Sequence, residues 1–449
     1  MFKKILSCFL IVAFLAPSLV LADGMMIKPD PYGNRWDFVS ESNQQAYISY
    51  EDGLEKLILS IGLEEKDSEA VWIFPVPADP QKVVIDILTE APDLRGEEIN
   101  KKAKSELEDI REALIMTQIY PAFFTSLTNS VILSTGSNKG LRFSEDGYGY
   151  QTDVTVYEHL EKEGMTTEII TARTSKGLQE YFKSKNLNIE QDSIPALNHY
   201  IGEEFTFVAS WISKNPTVKS SSKQKQKGVF VTFPTKKIYY PLVLTSVYGS
   251  ERIPTTIRIM GFVSPKVFGD IKNYTEIEYY IDSYVNLNNI DNFYNGDTEN
   301  VKYTKIEMNA PSKLLTQDLW MSARQPLSTY FPSFISQHPF LTGVILLVLT
   351  SILASVLASL VIFREARSKK EILRFSLLGL FNCLTIIALI IRMHSLKIKK
   401  DEEKINKLRE QGYIVNRRDC KRKIAFVSFF SITYIILVIL TISLIGIAL

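Results

Sequence analysis

The chain of 449 residues carries 51 lysines and arginines against 50 aspartates and glutamates, for a formal net charge of +1. That balance hides a sharp division. Residues 23–338 hold 32 basic against 43 acidic side chains, whereas residues 364–423 hold 17 against 7. An acidic region of this size excludes a polyanion-binding role, because affinity for nucleic acid needs clustered cations.

The first 22 residues combine Lys3 and Lys4, an apolar run from Ile5 to Phe14, a break at Pro17 and the small-residue ending "VLA". This is the three-part pattern of a secretory signal peptide, so residues 1–22 are expected to be removed. An uncleaved anchor is the alternative, but the apolar core is shorter than the ~20 residues that span a bilayer. The three cysteines are Cys8, Cys383 and Cys420. Residues 23–338 therefore lack thiols, which removes disulfides, thiolate zinc sites and cysteine nucleophiles from that region.

The run "QQAYISYEDGLEKLILSIGL" (44–63) alternates apolar and polar side chains on both sides of Asp52-Gly53. Aspartate-glycine between alternating runs predicts a tight hairpin. "AVWIFPVPADP" (70–80) predicts a strand over Val71 to Phe74 that Pro75 and Pro77 terminate, with Trp72 as a packing surface. Residues 97–118 set Ile99, Ala103, Leu107, Ile110 and Leu114 at spacings of three and four, which predicts an amphipathic helix with a solvated charged face. "SKGLQEYFKSK" reads as a short helix capped at Ser175. "EFTFVASWI", "GVFVTFPTKKIYYPLVLTSVYG" and "TTIRIMGFV" read as further strands. Strand into Phe-Pro occurs in both "VWIFPVP" and "VFVTFPT", which raises two halves meeting near residue 165.

Chemistry is sparse. His159, His199 and His338 show no paired ligand spacing and no HExxH, so no metal site is expected. No G-x-S-x-G elbow marks a nucleophile, and Ser220 with Lys223 falls in the low-complexity loop "KSSSKQKQK" (219–227). "STGSNKG" (134–140) lacks the frame of a phosphate loop, and "EDGYGY" (145–150) reads as an acidic aromatic turn. Residues 286–300 are rich in Asn and Asp, but Phe293 stands where a calcium loop needs an oxygen ligand, so a turn-rich loop is expected. No catalytic, cofactor-binding or metal residue is assigned, and no cofactor.

Two runs, 340–363 and 424–449, exceed the ~18 uncharged residues that mark a membrane span. A third, 375–391, is 17 residues long and carries Asn382 and Thr385. Hydrophobicity favours three spans. The basic loop 392–423 argues against that, because alternate crossing would place its twelve Lys and Arg outside. Trp320, Tyr330, Phe331 and Phe334 read as an aromatic belt at the membrane edge.

"ADG" at the mature start, "QQAYISYEDGLEKLILS", "AVWIFPVPADP", "GLQEYFKSKNLNI" with "IPALNHYIGEEFTFVA", and "VTFPTKKIYYPLVLTS" together resemble the uncharacterised prokaryotic family known as domain of unknown function 2330. The resemblance covers most of residues 23 to about 270. It implies an exported, often membrane-anchored α+β protein and no particular activity. The expected architecture is an extracytoplasmic α+β domain over 23–338, rich in antiparallel strands, followed by a C-terminal α-helical transmembrane unit. The expected role is a non-enzymatic binding, sensing or assembly module of the cell envelope, whose partners are the lipid bilayer and an envelope or membrane protein. The alternatives are an envelope hydrolase with carboxylates between Asp146 and Glu158, and an accessory subunit of a membrane transporter.

Overall fold

The computed structural model describes residues 25–29, 36–38, 44–61, 71–88, 90–119, 154–162, 165–185, 193–202, 204–212, 227–287, 290, 292–362, 373, 375–377 and 418–449. The expected signal peptide, the loops at 134–140, 145–150 and 219–226, and most of 375–423 lie outside these residues.

In chain order the strands are β1 (Met25–Pro29), β2 (Trp36–Phe38), β3 (Gln44–Glu51), β4 (Leu54–Ile61), β5 (Val71–Val76), β6 (Val84–Leu88), β7 (Asp93–Glu98), β8 (Val154–Lys162), β9 (Met165–Ala172), β10 (Thr206–Ile212), β11 (Lys227–Pro234), β12 (Ile238–Tyr240), β13 (Arg252–Met260), β14 (Ser264–Pro265), β15 (Thr275–Asn286), β16 (Val301–Pro311) and β17 (Leu319–Ser322). The helices are α1 (Ile99–Ile119), α2 (Ser175–Ser184), α3 (Ile194–Asn198), α4 (Leu327–Gln337), α5 (Pro339–Ile362) and α6 (Arg418–Ala448). Two compact units result, one of Met1–Glu98 with Phe143–Thr329 and one of Ile99–Arg142 with Tyr330–Leu449.

The first unit holds three sheets. A six-stranded sheet runs β2-β1-β5-β10-β9-β8, an eight-stranded sheet runs β6-β11-β4-β3-β13-β16-β15-β7, and a small sheet runs β12-β17-β14. Pairing is antiparallel throughout these ladders except between β13 and β3. The antiparallel α+β expectation therefore holds. Period-two alternation puts Ala46, Ile48, Leu57, Leu59, Val231, Ile257 and Ile306 of the large sheet against Trp72, Phe74, Ile169 and Val208 of the six-stranded one. This core draws side chains from both sides of residue 165, so the sheets interleave there.

The Asp-Gly hairpin forms as its sequence predicts: Glu51 pairs with Leu54, and Asp52 and Gly53 take φ of 51° and 82°. Both turn residues are left-handed, as a two-residue type I′ loop requires. β5 differs from expectation, because it continues through Pro75 to Val76. The reason is local. β1 begins at Met25, opposite Ile73, so beyond that pair one edge of β5 carries no described ladder and a missing N–H costs no bond there. Both faces of β5 are buried: Trp72, Phe74 and Val76 enter the sandwich, whereas Val71 and Ile73 lie under Leu178 and Phe182 of α2 and Leu197 of α3.

Leu287, Ile290, Phe293 and Tyr294 cover the other face of the large sheet. Ile290 and Phe293 sink into a cluster with Tyr47, Ile58, Val285 and Val301, and Phe293 is fully buried. The residue that broke the calcium pattern is thus the anchor of the loop.

In the second unit α1 spans nearly the predicted range, and all five of its predicted apolar positions are buried. Ala103, Leu107, Ile110 and Leu114 share a cluster with residues of α5 and α6. Those two helices are long and apolar enough to cross a membrane and suggest membrane association. On α6, Phe426, Phe430, Tyr434, Val438 and Ile442 form a buried row at i, i+4 spacing; on α5 the buried residues include Thr350, Ser351, Ala354, Ser355, Ala358 and Ser359. Large side chains thus lie against small ones, which lets two helix backbones approach closely in an apolar medium.

Candidate functional site

Among the described residues of the first unit, the polar groups around Glu168, Asp318 and Glu55 and a cavity beside Gly261 are the candidates. On the six-stranded sheet, Glu168 of β9 stands directly opposite His159 of β8. Its Oε1 accepts from His159 Nδ1 at 2.7 Å and from Lys185 Nζ at 3.0 Å, while Oε2 accepts from the Tyr181 hydroxyl. The Lys185 ammonium also lies over the rings of Trp211, at 5.4 Å, and Tyr181, at 5.6 Å. α2 positions Tyr181 one turn before Lys185, and Thr174 caps the start of this helix through Gly177 N–H at 2.9 Å. The cap is one residue earlier than the sequence suggested. Burial pushes the Glu168 carboxyl up, but the bonds from Tyr181, His159 and Lys185 outweigh it and hold the group below its usual value. Burial and the adjacent Glu168 push the Tyr181 hydroxyl far above its ordinary value. A carboxylate held this way is a weak base, so the arrangement suits a structural ion cluster better than proton transfer.

Asp318 forms the second constellation, just before β17. Its Oδ1 accepts from Tyr200 Oη at 2.7 Å and from the backbone N–H groups of Leu242 at 2.8 Å and Val243 at 3.0 Å. Oδ2 accepts from Tyr239 Oη at 3.0 Å. Burial, the charge of Asp318 and the hydrogen bonds to it push the Tyr200 hydroxyl up; burial, with the neighbouring Tyr200 and Asp318, does the same to Tyr239. The node ties α3, β12 and the turn after β12 to β17. The Y-P-L element of the sequence supplies two of its parts, since Tyr239 and Leu242 flank Tyr240 and Pro241. Asp318 itself gave no sequence signal, being one acid among many.

Glu55 is the third feature. It is fully buried in the sandwich, its Oε2 accepts the Tyr239 N–H at 2.8 Å, and its Oε1 has no partner among the described residues. Burial, only partly offset by the Tyr239 N–H, raises its carboxyl well above the ordinary range. Glu55 pairs across the hairpin with Tyr50.

Tyr50 also lines a cavity of about 300 Å³, together with Ile238, Met260, Gly261, Phe262, Val263, Lys302, Ala323 and Gln325. Its walls are polar and apolar in about equal measure. Gly261 has φ +86°, and a Cβ placed there would meet no atom within 4 Å, so the backbone itself opens onto free space. Lys302 Nζ stands 5.7 Å from the Phe262 ring centroid and forms no ion pair with a described carboxylate. Gln325 Nε2 donates to Thr329 Oγ1 at 3.0 Å.

Among the described residues no group of three or more His, Cys, Asp or Glu side chains could hold a metal ion. His199 is exposed at the end of α3, with its ring edge-on to Tyr200 at 4.9 Å. Glu158 lies on β8, its carboxyl raised by partial burial. Asp146, Ser220, Lys223, Asn382 and Thr385 lie outside the described residues. Trp320 is half-buried and packs against the sandwich core, 4.8 Å from the Tyr239 ring. Tyr330 and Phe331 on α4 are exposed, at 55% and 51%.

No family model matches the chain, and no curated protein matches it. Among solved structures, the chain is similar to the crystal structure of baculovirus P35, with 12% identity over 63% of this chain and 96% of that one, at a TM-score of 0.25, too low to bear on fold or function.

Proposed function

We propose that the chain is a membrane-anchored, extracytoplasmic binding module of a prokaryotic cell envelope, and that the cavity beside Gly261 receives its ligand. The observation that carries this reading is the contrast between that cavity and the other polar groups. The Glu168 and Asp318 carboxylates are consumed by their own neighbours, whereas Lys302 offers a cation to a cavity lined by both apolar and polar groups. Small-molecule sites combine apolar surface with a few convergent polar groups, and the volume stands at the low end of their range. A small organic acid with a short alkyl or aryl body fits this lining. Membrane anchoring is supported by the two apolar helices, and export by the signal pattern of residues 1–22. Kinship with domain of unknown function 2330 remains part of the proposal; the described segments that carry the resemblance form β3, β4, β5, α2, α3, β10, β11 and β12.

The test is thermal unfolding of the full chain in lipid nanodiscs with benzoate or benzylamine. Benzoate is expected to raise the midpoint in a saturable way, benzylamine to leave it unchanged, and Lys302→Gln to abolish the benzoate shift. Equal shifts from acid and amine, or a benzoate shift that survives in Lys302→Gln, would remove the assignment.

A further inference from the structure

The direction of α6 relative to α5 is written in three contacts of the second unit. Ser355 Oγ donates to the carbonyl oxygen of Phe375 at 2.7 Å, and the Phe375 ring lies 5.1 Å from that of Phe426. Ser355 is near the end of α5 and Phe426 near the start of α6. These parts of the two helices therefore meet at one level.

From that level the buried rows run in opposite chain directions. Back along α5 from Ser355 come Ser351, Thr350, Leu346 and Thr342, all buried; forward along α6 from Phe426 come Phe430, Tyr434, Val438 and Ile442, also buried. Sixteen residues separate Ser355 from Pro339 and Phe426 from Ile442, about 24 Å of helix in each case. Antiparallel helices would end these rows together. Parallel helices would carry Val438 and Ile442 past Ile362, the last residue of α5. α1 closes the same end: the Ile110 side chain is 3.8 Å from where a Cβ on Gly343 would sit, and Ala103, Leu107, Ile110 and Leu114 join one cluster with Leu346, Val438 and Ile442. The outward faces are apolar on both helices, with Leu349, Ile352, Leu353 and Val361 on α5 and Ile432, Ile436 and Leu444 on α6 exposed. Such faces suit hydrocarbon.

We infer that α5 and α6 form an antiparallel membrane hairpin, so that the chain between Ile362 and Arg418 leaves and re-enters on one face of the bilayer and the segment 375–391 completes no crossing. The inference rests on the proposed reading that both helices span. Crossing out and back would need two runs of roughly 20 apolar residues. The interval offers one run of 17. The hairpin also resolves the charge conflict: the 17 Lys and Arg of residues 364–423 all fall on one side, as the positive-inside rule demands, and Leu449 falls on the other.

Single-cysteine forms of the full chain in intact cells, treated with a membrane-impermeant maleimide, test this. Three reporters are needed: the native Cys420, Lys176→Cys on the exposed face of α2, and Leu449→Cys, each with the remaining cysteines changed to serine. The hairpin expects Lys176→Cys and Leu449→Cys to label in intact cells and Cys420 to label only after the bilayer is opened. Labelling of Lys176→Cys and Cys420 together, with Leu449→Cys protected, is the pattern of three crossings and overturns the inference. Labelling of none or all of the three before opening, or release of the chain by alkaline carbonate, overturns the spanning or export reading on which it stands, and the two failures are distinguishable.

Discussion

Two buried carboxylates in one sandwich titrate in opposite directions, because a carboxyl follows its hydrogen-bond partners as much as its burial. Glu168 accepts from three donors and is held low; Glu55 accepts from one and is pushed up. The sign of the pH effect follows. For Glu168, stabilisation is present above the unfolded value and fades as pH falls through the folded one. For Glu55, stability is greatest below the unfolded value and declines as pH rises towards the raised folded value, since ionisation would leave a charge with one N–H donor in an apolar core. Glu55→Gln keeps the shape and removes the charge. It is expected to leave unfolding at pH 4 nearly unchanged and to raise the midpoint at pH 8, measured by chemical denaturation of the full chain in nanodiscs. An equal change at both pH values would mean that Glu55 ionises in the folded chain as readily as in the unfolded one.

At the scale of elements, a local signal was readable and a remote one was not. Asp52-Gly53 announces its hairpin because the turn demands two left-handed residues in succession, and the stripe from Ile99 to Leu114 announces α1 because its period is that of a helix. The partner of β7 could not be read, since β15 lies nearly two hundred residues further on and neither strand alternates cleanly. Distance along the chain also hid Asp318, whose four donors come from two separate stretches, Tyr200 and Tyr239 to Val243. Between β7 and β15 the register shifts at Asp282, which takes φ 48°, and the following Ser283 is fully buried against Gly96. A Cβ on Gly96 would lie 1.8 Å from Ser283 Oγ and 2.7 Å from its Cβ. Gly96→Ala should therefore cost about 1–3 kcal/mol, the usual range for overpacking a tight site. Adding Ser283→Gly should recover part of that loss in denaturant unfolding. A neutral Gly96→Ala would show that the bulge yields without strain.

For the whole molecule, chain order and spatial order part company at α1. This helix is inserted in sequence between β7 and β8, yet its apolar stripe packs with α5 and α6. A reading by contiguous segments places it with the sheets, because an amphipathic helix does not say which apolar surface it will cover. On the proposed reading that α5 and α6 span the bilayer, the charges on its other face keep that side out of hydrocarbon, so α1 covers an end of the pair at the lipid boundary. If the two units are separate in stability as well as in contacts, damage to this packing should stay within one of them. Leu107 is 1% exposed in the shared cluster, and Leu107→Ala should cost the second unit about 2–5 kcal/mol through lost transfer energy and the cavity left behind. Hydrogen exchange of the full chain in nanodiscs reads the consequence. Amides of α1 should lose protection in Leu107→Ala, whereas those of β4, β11 and β13 keep theirs. Simultaneous loss in the sheets would mean that the protein unfolds as one cooperative body.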